Sequence, residues 1–365
     1  MIFVLVDVSN CTTDMVYGRT VLTTWKISFD KIEQDCNAEA SACLFKLLAY
    51  CAPDNIPLQM FIDGRDKLPS PLAAALEPSD ALGHIELTNR LTRYSLVTVR
   101  DDGKGNTLLS VHRLMQAVVK HDLGSNAEFL QCCLDMAESV FHYEYGTRED
   151  FDMFTLYLPH MLEIALCSEL CLEDENEAII KAGRVFHEAG RGLNKKGEYA
   201  EALEWYDKAL AIREKVLGLE DPSTATTYSN IALVYYEQGE YAKALEWNEK
   251  SLAIKEKILD LEDPSMASTY DNIALIYNRQ GEYAKAMEWQ EKSLAIREKV
   301  LGLEHPSTAA TYNNIGVVYE YQGEYAKALE WYNKSLAIKE KMLGAEHPDT
   351  IMTRNNIVDV NKAMG

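Results

Sequence analysis

The chain has 365 residues, of which 25% are charged and 47% hydrophobic, and its net charge at pH 7 is −21. So acidic a chain is repelled by nucleic-acid phosphates and by anionic membrane surfaces, and we expect neither as a partner. No apolar run approaches the roughly 18 residues that a membrane-spanning helix needs. The eight cysteines are too sparse for a disulfide scaffold, and we interpret them as reduced thiols of a cytoplasmic protein.

The first part of the chain is predicted to be a small domain over residues 18–122, after an unassigned segment at 1–17. Apolar residues at helical spacing predict four helices. They lie at 21–29, 38–51, 57–62 and 81–91.

A hairpin and one more helix follow these four. The strand-like segment 94–99 and a second one at 107–111 flank a turn rich in Asp and Gly, which is a hairpin pattern. The helix after it is expected over residues 111–121, with Leu114, Val118 and Val119 on its apolar stripe. Helices followed by a hairpin predict a winged helix.

Four sequence phrases support this interpretation: TTWKISFDKIEQ, LLAYCAPDNIPLQMF, LTRYSLVTV and SVHRLMQAVV. Together they resemble the winged-helix part of NB-ARC proteins, which are nucleotide-switched signalling NTPases of the STAND type. In that family a Met-His-Asp motif opens the helix after the wing, and its histidine contacts the β-phosphate of bound ADP. His112 matches this histidine, whereas Arg113 replaces the aspartate. The resemblance implies nucleotide sensing by His112 where an NTPase domain is present, and a capping or core histidine is the alternative.

The nucleotide-binding machinery of that family is missing from this sequence. There is no G-x-x-x-x-G-K-[ST] phosphate loop and no apolar run ending in paired acids that would hold magnesium. In family terms the NTPase domain would lie before residue 1. We therefore expect no cofactor, no metal site and no enzymatic activity from this chain alone. The segment after the wing also contains few basic residues, which argues against DNA binding.

Residues 123–180 are predicted to form a helical bridge. Pro159 is expected to break it in the middle, because proline disrupts a helix interior. Cys167 and Cys171 lie one helical turn apart, but no second pair accompanies them. We therefore interpret them as packing residues rather than as metal ligands.

Residues 181–365 repeat with a period of 42 residues. The string GEYAEALEWYDKALAIREKVLG begins at Gly197, and near-copies begin at Gly239, Gly281 and Gly323. Four of the five tryptophans keep the same spacing. Such self-similarity predicts stacked repeats, here four full units and a final single helix.

Each unit is predicted to contain two helices joined at a glycine. The first opens at a proline after an Asp or His, and the second runs, for example, from Tyr241 to Ile258. Small residues at fixed offsets should let the paired helices approach closely, with the recurring tyrosines and tryptophans in the core. The small residues are Gly190, Ala202, Ala232, Ala244, Ala274, Ala286, Gly316 and Ala328.

This small–tyrosine–small pattern resembles tetratricopeptide repeats. The 42-residue period with its E-H-P-x-T loop is similar to the repeats of kinesin light chains. The resemblance implies a right-handed superhelical solenoid whose concave face, formed mainly by the first helices, binds extended peptides.

Asparagine recurs at one position of every first helix, at Asn230, Asn272, Asn314 and Asn356. Its amide offers a donor and an acceptor, which suits gripping a peptide backbone of any sequence. The alternative is a bond to a neighbouring helix of the array. Four more candidates for the groove are Tyr236, Leu275, Arg279 and Tyr321.

The first unit differs, because its candidates are the basic residues Arg184, His187 and Arg191. This basic end suits an acidic peptide stretch, and a solvated helix face is the alternative. The residues before the recurring asparagines differ from those in repeats that bind the tails of chaperones. We therefore do not expect a chaperone tail as the ligand.

The fold class expected overall is mostly α: a small winged-helix domain, a helical bridge and a tetratricopeptide solenoid. The function expected is a protein-interaction scaffold, the sensor half of an NB-ARC-like switch, whose NTPase domain is supplied within or between chains. Two alternatives remain: an inactive fragment of a larger STAND ATPase, and a cargo adaptor like kinesin light chain. The adaptor is weakened because no heptad-repeat segment precedes the repeats.

Overall fold

The computed structural model describes residues 23, 26–35, 38–124, 127–141, 148–172, 176–259 and 263–364. The chain divides into two compact units, one ending at Gly192 and the other beginning at Leu193. The unassigned segment 1–17 and positions 21, 22, 24 and 25 of the first predicted helix lie outside the described residues. Residues 26–34 are helical.

The first compact unit contains the predicted helices in the predicted order, and one short helix at residues 70–75 that was not predicted. They are α1 (Glu39–Leu48), α2 (Leu58–Asp63), α3 (Ser70–Ala75), α4 (Ala81–Arg93) and α5 (Arg113–Leu123). The core is centred on α1, where Leu44, Leu47 and Leu48 are fully buried. Each such leucine contributes about 1.5–3 kcal/mol of transfer free energy to the fold.

A three-stranded antiparallel sheet completes the winged-helix region. Its strands are β1 (Ile56–Pro57), β2 (Thr98–Asp101) and β3 (Thr107–Ser110), in the order β1-β3-β2. The hairpin is confirmed, but β2 begins at Thr98 rather than at residue 94. The preceding Leu96 and Val97 are buried, and the Leu96 amide donates to the carbonyl of Leu91 at the end of α4. A strand of two residues such as β1 carries no alternation that sequence reasoning can detect.

The apolar stripe predicted for α5 is wrong at one residue. Leu114 is 52% exposed, and the buried face is formed by Met115, Gln116 and Val119. The Gln116 amide reaches back to α1 and donates to the carbonyls of Leu48 and Cys51, each at 2.9 Å. A satisfied glutamine therefore occupies a core position that hydrophobic spacing alone assigns to an apolar residue.

The bridge consists of α6 (Glu128–Val140) and α7 (Arg148–Cys171), followed by α8 (Asn176–Lys196). The predicted break at Pro159 is wrong, because α7 continues through this proline. Met161, Ile164 and Ala165 are fully buried just beyond it. Burial of this face offsets the hydrogen bond that proline cannot donate.

The second compact unit is built from paired helices that repeat every 42 residues. They are α9 (Tyr199–Val216), α10 (Pro222–Glu237), α11 (Tyr241–Ile258), α12 (Pro264–Arg279), α13 (Tyr283–Val300), α14 (Pro306–Tyr321), α15 (Tyr325–Met342) and α16 (Pro348–Met364). The helices α10, α12 and α14 each begin at a proline behind a capping side chain. The caps are Asp221, Asp263 and His305, which accept from the amides of Ser223, Ser265 and Ser307.

The small residues of the pattern are buried as predicted, whereas the tryptophans are not. Ala232, Ala244 and Ala274 have no exposed surface. Trp247 is half-buried, with the Tyr228 ring 5.5 Å from it and the Lys250 ammonium 4.1 Å above its face. The recurring tryptophans thus lie at the edge of the core, where a cation can cover the outer ring face.

The fourth unit shows why its small residue is glycine. A Cβ on Gly316 would lie 2.6 Å from Cδ1 of Tyr332, whose side chain is fully buried. In the third unit the equivalent residues are Ala274 and Gln290. Tyrosine on the second helix therefore requires glycine on the first, and a slimmer side chain permits alanine.

Replacing Gly316 by alanine is expected to lower stability by about 1 kcal/mol. Overpacking costs about 1–3 kcal/mol, and the higher helix propensity of alanine returns about 1 kcal/mol. The double variant Gly316→Ala, Tyr332→Gln copies the third unit and is expected to regain most of the loss. Thermal unfolding followed by circular dichroism measures both, and a single variant more stable than wild type would contradict this packing.

Among the described helices, none combines the length and the hydropathy that crossing a bilayer requires.

Candidate functional site

The first helices of the repeats form one continuous surface of the second compact unit, which begins at Leu193. The helices α10, α12 and α14 contact one another in order, as well as their own second helices. A side-chain bond from Asn356 extends this row to α16. We call the side of α10, α12, α14 and α16 that carries the recurring asparagines the first-helix face.

The recurring asparagines lie half-buried on this face, but their bonding differs. The Asn356 Nδ2 donates to Asn313 Oδ1 on α14 at 3.2 Å, which is the bond between helices given above as the alternative to groove binding. Asn230 also has an interaction within the protein. Within the described residues, the side chains of Asn272 and Asn314 form no hydrogen bond. These two amides are therefore available to a ligand.

A small pocket lies beside Asn272. The predicted groove residues Tyr236, Asn272 and Leu275 line it, together with Leu233 and with Asn248 from α11. The structure thus brings an apolar depression and an unbonded amide together. The volume of this depression is about 10 Å³, the room of about one water molecule, so a peptide bonded to the amide could place at most a methyl-sized group there.

Two tyrosines and one arginine form a row across three units near the carboxyl ends of the first helices. The Arg279 Nε donates to the Tyr236 hydroxyl at 2.9 Å, and its Nη1 donates to the Tyr321 hydroxyl at 2.7 Å. The guanidinium also lies 5.8 Å from the centre of the Tyr321 ring. We call these residues the Tyr–Arg–Tyr row.

A buried ion pair lies behind the face in the third unit. Asp271 Oδ2 is 2.7 Å from Arg297 Nη2, and their side chains are only 10% and 9% exposed. Burial raises the pKa of Asp271, and the positive charge of Arg297 opposes this shift. The equivalents of Asp271 in the second and fourth units are the uncharged Ser229 and Asn313.

Arg297 also belongs to a recurring contact that sequence reasoning missed. In each unit a basic side chain of the second helix donates to a threonine hydroxyl and to a carbonyl in the next first helix. The hydroxyl pairs are Arg213–Thr227 at 2.6 Å, Lys255–Thr269 at 2.8 Å, Arg297–Thr311 at 2.7 Å and Lys339–Thr353 at 2.9 Å. Burial lowers the pKa of Lys255 and of Lys339. The recurrence of a basic residue every 42 positions was the available clue.

The basic candidates of the first repeat lie on α8 in the first compact unit. Arg184 Nη1 bonds to Glu138 Oε1, and Arg191 Nη1 bonds to both oxygens of Glu188 at 2.9 Å. His187 is only 6% exposed. The positive charge that the sequence places at this end is therefore paired with carboxylates or buried.

His112, the candidate nucleotide sensor, caps a helix. Its Nδ1 accepts a hydrogen bond of 3.2 Å from the amide of Leu114 at the start of α5. This contact is the capping role given as the alternative above, and the ring is exposed to solvent. Nucleotide sensing by His112 stays a prediction.

The paired cysteines of α7 do not form a metal centre in the described part of the chain, where no group of three ligands is found. Cys171 is exposed, whereas Cys167 is mostly buried, with the Lys120 ammonium 3.2 Å from its sulfur. Burial raises the pKa of the Cys167 thiol.

Comparison with known families matches two parts of the chain. The tetratricopeptide repeat model matches residues 182–257 and 265–341. A domain of unknown function, DUF7779, matches residues 32–128, which include most of the winged-helix region.

Individual proteins match parts of the chain as well. A nucleotide-binding leucine-rich repeat (NLR)-like protein of Hyaloscypha variabilis is 30% identical over 205 residues, 56% of this chain and 18% of that protein. The chain thus spans about a fifth of that relative's length.

Two solved structures are similar to the repeats. Nearly identical TPR-like repeats of Podosopora anserina, described as kinesin light chain, are 31% identical over 50% of this chain and 86% of theirs, with a TM-score of 0.42. BtubC (BKLC) of P. vanneervenii is 22% identical over 55% and 80%, with a TM-score of 0.48. The second half of this chain is an array of tetratricopeptide repeats, and the chain resembles NB-ARC-like proteins with repeats of the kinesin-light-chain type.

Proposed function

We propose that the chain is a non-enzymatic interaction scaffold whose first-helix face binds an extended segment of a partner protein. The observation that carries this proposal is the pair of unbonded, half-buried amides of Asn272 and Asn314, one of them beside the apolar pocket. A ligand's backbone can replace water at these amides, because each amide offers both a donor and an acceptor. The equal spacing of the two amides, one repeat apart, suits an extended chain.

Alanine at both Asn272 and Asn314 is expected to weaken peptide binding about 30-fold. Each amide contributes about 1 kcal/mol in hydrogen bonds to a backbone, and 1.4 kcal/mol corresponds to a tenfold change. A peptide selected from a random display library on the purified chain serves as the probe. Its dissociation constant is measured by titration calorimetry for wild type and the double variant.

The matched control is Asn333→Ala, which removes the same amide from an exposed site on the second helix α15. We expect it to bind like wild type. Unchanged affinity in the double variant, with an unchanged thermal midpoint, would remove these asparagines from the binding site.

We further propose that this scaffold is the sensor part of an NB-ARC-like switch, in which the partner of the winged-helix region is an NTPase domain. The match to an NLR-like protein supports this. The intact mass of the endogenous protein, captured with an antibody against the repeats, tests it. A species much heavier than 41.2 kDa that yields a phosphate-loop peptide would place the NTPase in the same polypeptide. A mass near that value, with no NTPase co-purifying, would contradict the switch.

A further inference from the structure

Arg279 is a positively charged residue of the first-helix face for which the described part of the chain supplies no acidic partner. The chain contains 57 acidic and 36 basic residues, so unpaired carboxylates are abundant. Nevertheless, within the described residues, the Arg279 guanidinium forms no ion pair. By contrast Arg354, on α16, bonds to Glu340 at 2.9 Å. The charge of Arg279 is thus left for something outside the chain.

The guanidinium is held in one orientation by the two tyrosines. Tyr236 on α10 accepts from its Nε, and Tyr321 on α14 accepts from its Nη1, with the centre of the Tyr321 ring 5.8 Å from the guanidinium. Arginine ordinarily loses much side-chain entropy when it binds a ligand, and prior orientation reduces that cost. This geometry suits recognition rather than solvation alone.

The bonds to the tyrosines leave donors unused. A guanidinium has five N–H groups, and the two tyrosines take one from Nε and one from Nη1. Three N–H groups remain, and each phenol keeps its own O–H proton to donate. A planar acceptor with two oxygens matches such a set of donors, and a carboxylate is that acceptor in a peptide.

The repeats themselves set this position apart. The second, third and fourth units share asparagine at positions 230, 272 and 314. At the position of Arg279 the second unit has Glu237 and the fourth has Tyr321, so each unit carries a different chemistry. A constant residue suits the constant backbone of a bound segment, and a variable residue suits its variable side chains.

We propose that Arg279, oriented by Tyr236 and Tyr321, binds the carboxylate of an Asp or Glu side chain in the partner segment. This inference rests on the peptide binding proposed above and adds the chemical class of one partner residue. The carboxylate would accept from the unused N–H groups of Arg279, and the tyrosines act as positioning residues.

The test selects peptides in parallel on wild type and on Arg279→Glu, using one library of random 12-residue peptides displayed on phage. Wild-type selections are expected to share an acidic residue at one fixed position, and the variant's selections a Lys or Arg there. Binding of a wild-type peptide, measured by fluorescence anisotropy, should weaken about 10- to 100-fold in Arg279→Gln, because hydrogen bonds to charged groups contribute strongly. Replacing the acidic residue of the peptide by its amide should have the same effect, and the two changes together should add little more.

Two controls separate recognition from structure. Arg354→Gln removes a paired arginine from α16 and is expected to leave affinity within about twofold. Tyr236→Phe and Tyr321→Phe should weaken the acidic peptide more than its amide version, which a general loss of folding would not do. Phosphate-containing buffer should compete only weakly, since a single ion lacks the backbone contacts.

The outcomes separate this inference from the one it rests on. If neither protein enriches any peptide, both peptide binding and carboxylate recognition are overturned. If enriched peptides depend on Asn272 and Asn314, yet show no acidic preference and bind Arg279→Gln equally, only the assignment of Arg279 fails.

Discussion

Replacing Arg297 by methionine is expected to lower the free energy of unfolding by about 3–5 kcal/mol. The variant leaves Asp271 buried without the cation 2.7 Å away, and it removes the bonds to Thr311 Oγ1 and to the carbonyl of Ser307. A buried carboxylate without a partner is far costlier than the pair. Urea unfolding followed by circular dichroism measures the loss at pH 7.

The double variant Asp271→Ser, Arg297→Lys separates the ion pair from the rest of the contact. It copies Ser229 and Lys255 of the second repeat, where lysine bonds to the equivalent threonine and serine stands at the position of Asp271. We expect it to stay within about 1 kcal/mol of wild type, because both partners of the pair are replaced together. A double variant as unstable as Arg297→Met would contradict this account, because it keeps the threonine contact and would show that loss of the ion pair itself, rather than the unpaired carboxylate, carries the effect.

Lowering the pH from 7 to 5 is expected to lower the free energy of unfolding of the first compact unit by about 2 kcal/mol, because of His160. This ring is fully buried in α7, with Nε2 3.1 Å from the carbonyl oxygen of Asn55. Burial lowers its pKa from 6.5 to about 4. Between about pH 6.5 and pH 4, His160 is therefore protonated in the unfolded chain and neutral in the folded chain. The contribution is fully present above about pH 6.5 and is lost as the pH falls towards 4.

His160→Gln isolates this contribution, because glutamine does not titrate and can still donate to the Asn55 carbonyl. Urea unfolding of both proteins at pH 7 and pH 5 gives the comparison. The difference between the two pH values should be about 2 kcal/mol smaller in the variant. An equal pH dependence in the two proteins would show that His160 does not titrate as described.

The architecture of the second half was predictable because the same sequence pattern recurs in every repeat. A 42-residue period read four times fixes where each helix begins, and the prolines at Pro222, Pro264 and Pro306 begin α10, α12 and α14 as expected. The winged-helix region was harder. Its hairpin was found from the glycine turn, whereas β1 is too short to show any pattern.

The two errors have different physical causes. Proline was expected to break α7 at Pro159, but tertiary burial outweighs the local penalty. The tryptophans were expected in the core, yet lysines such as Lys250 cover them at its edge. The burial around Pro159 is a tertiary effect that outweighs a sound local preference, whereas Lys250 lies only three residues after Trp247 on the same helix.

The candidate site, too, could be predicted from the sequence only in part. Helical offsets selected Tyr236, Asn272 and Leu275 as groove candidates, and these three residues line one pocket. They could not reveal which asparagines bond within the array, since that depends on neighbours such as Asn313, nor that Arg184 is paired with Glu138. The charge available to a ligand therefore lies at Arg279 in the third unit rather than in the first.

The central claim is that a partner segment lies along the first-helix face, and photo-crosslinking tests it most directly. Benzoylphenylalanine is placed at Leu275, which lines the pocket, and separately at Lys292, exposed on the second helix α13. The library-selected peptide is then irradiated with each protein. We predict a covalent adduct at position 275, reduced by the Asn272→Ala, Asn314→Ala changes, and none at position 292. Adducts at 292 alone, or equally at both positions, would contradict binding on this face.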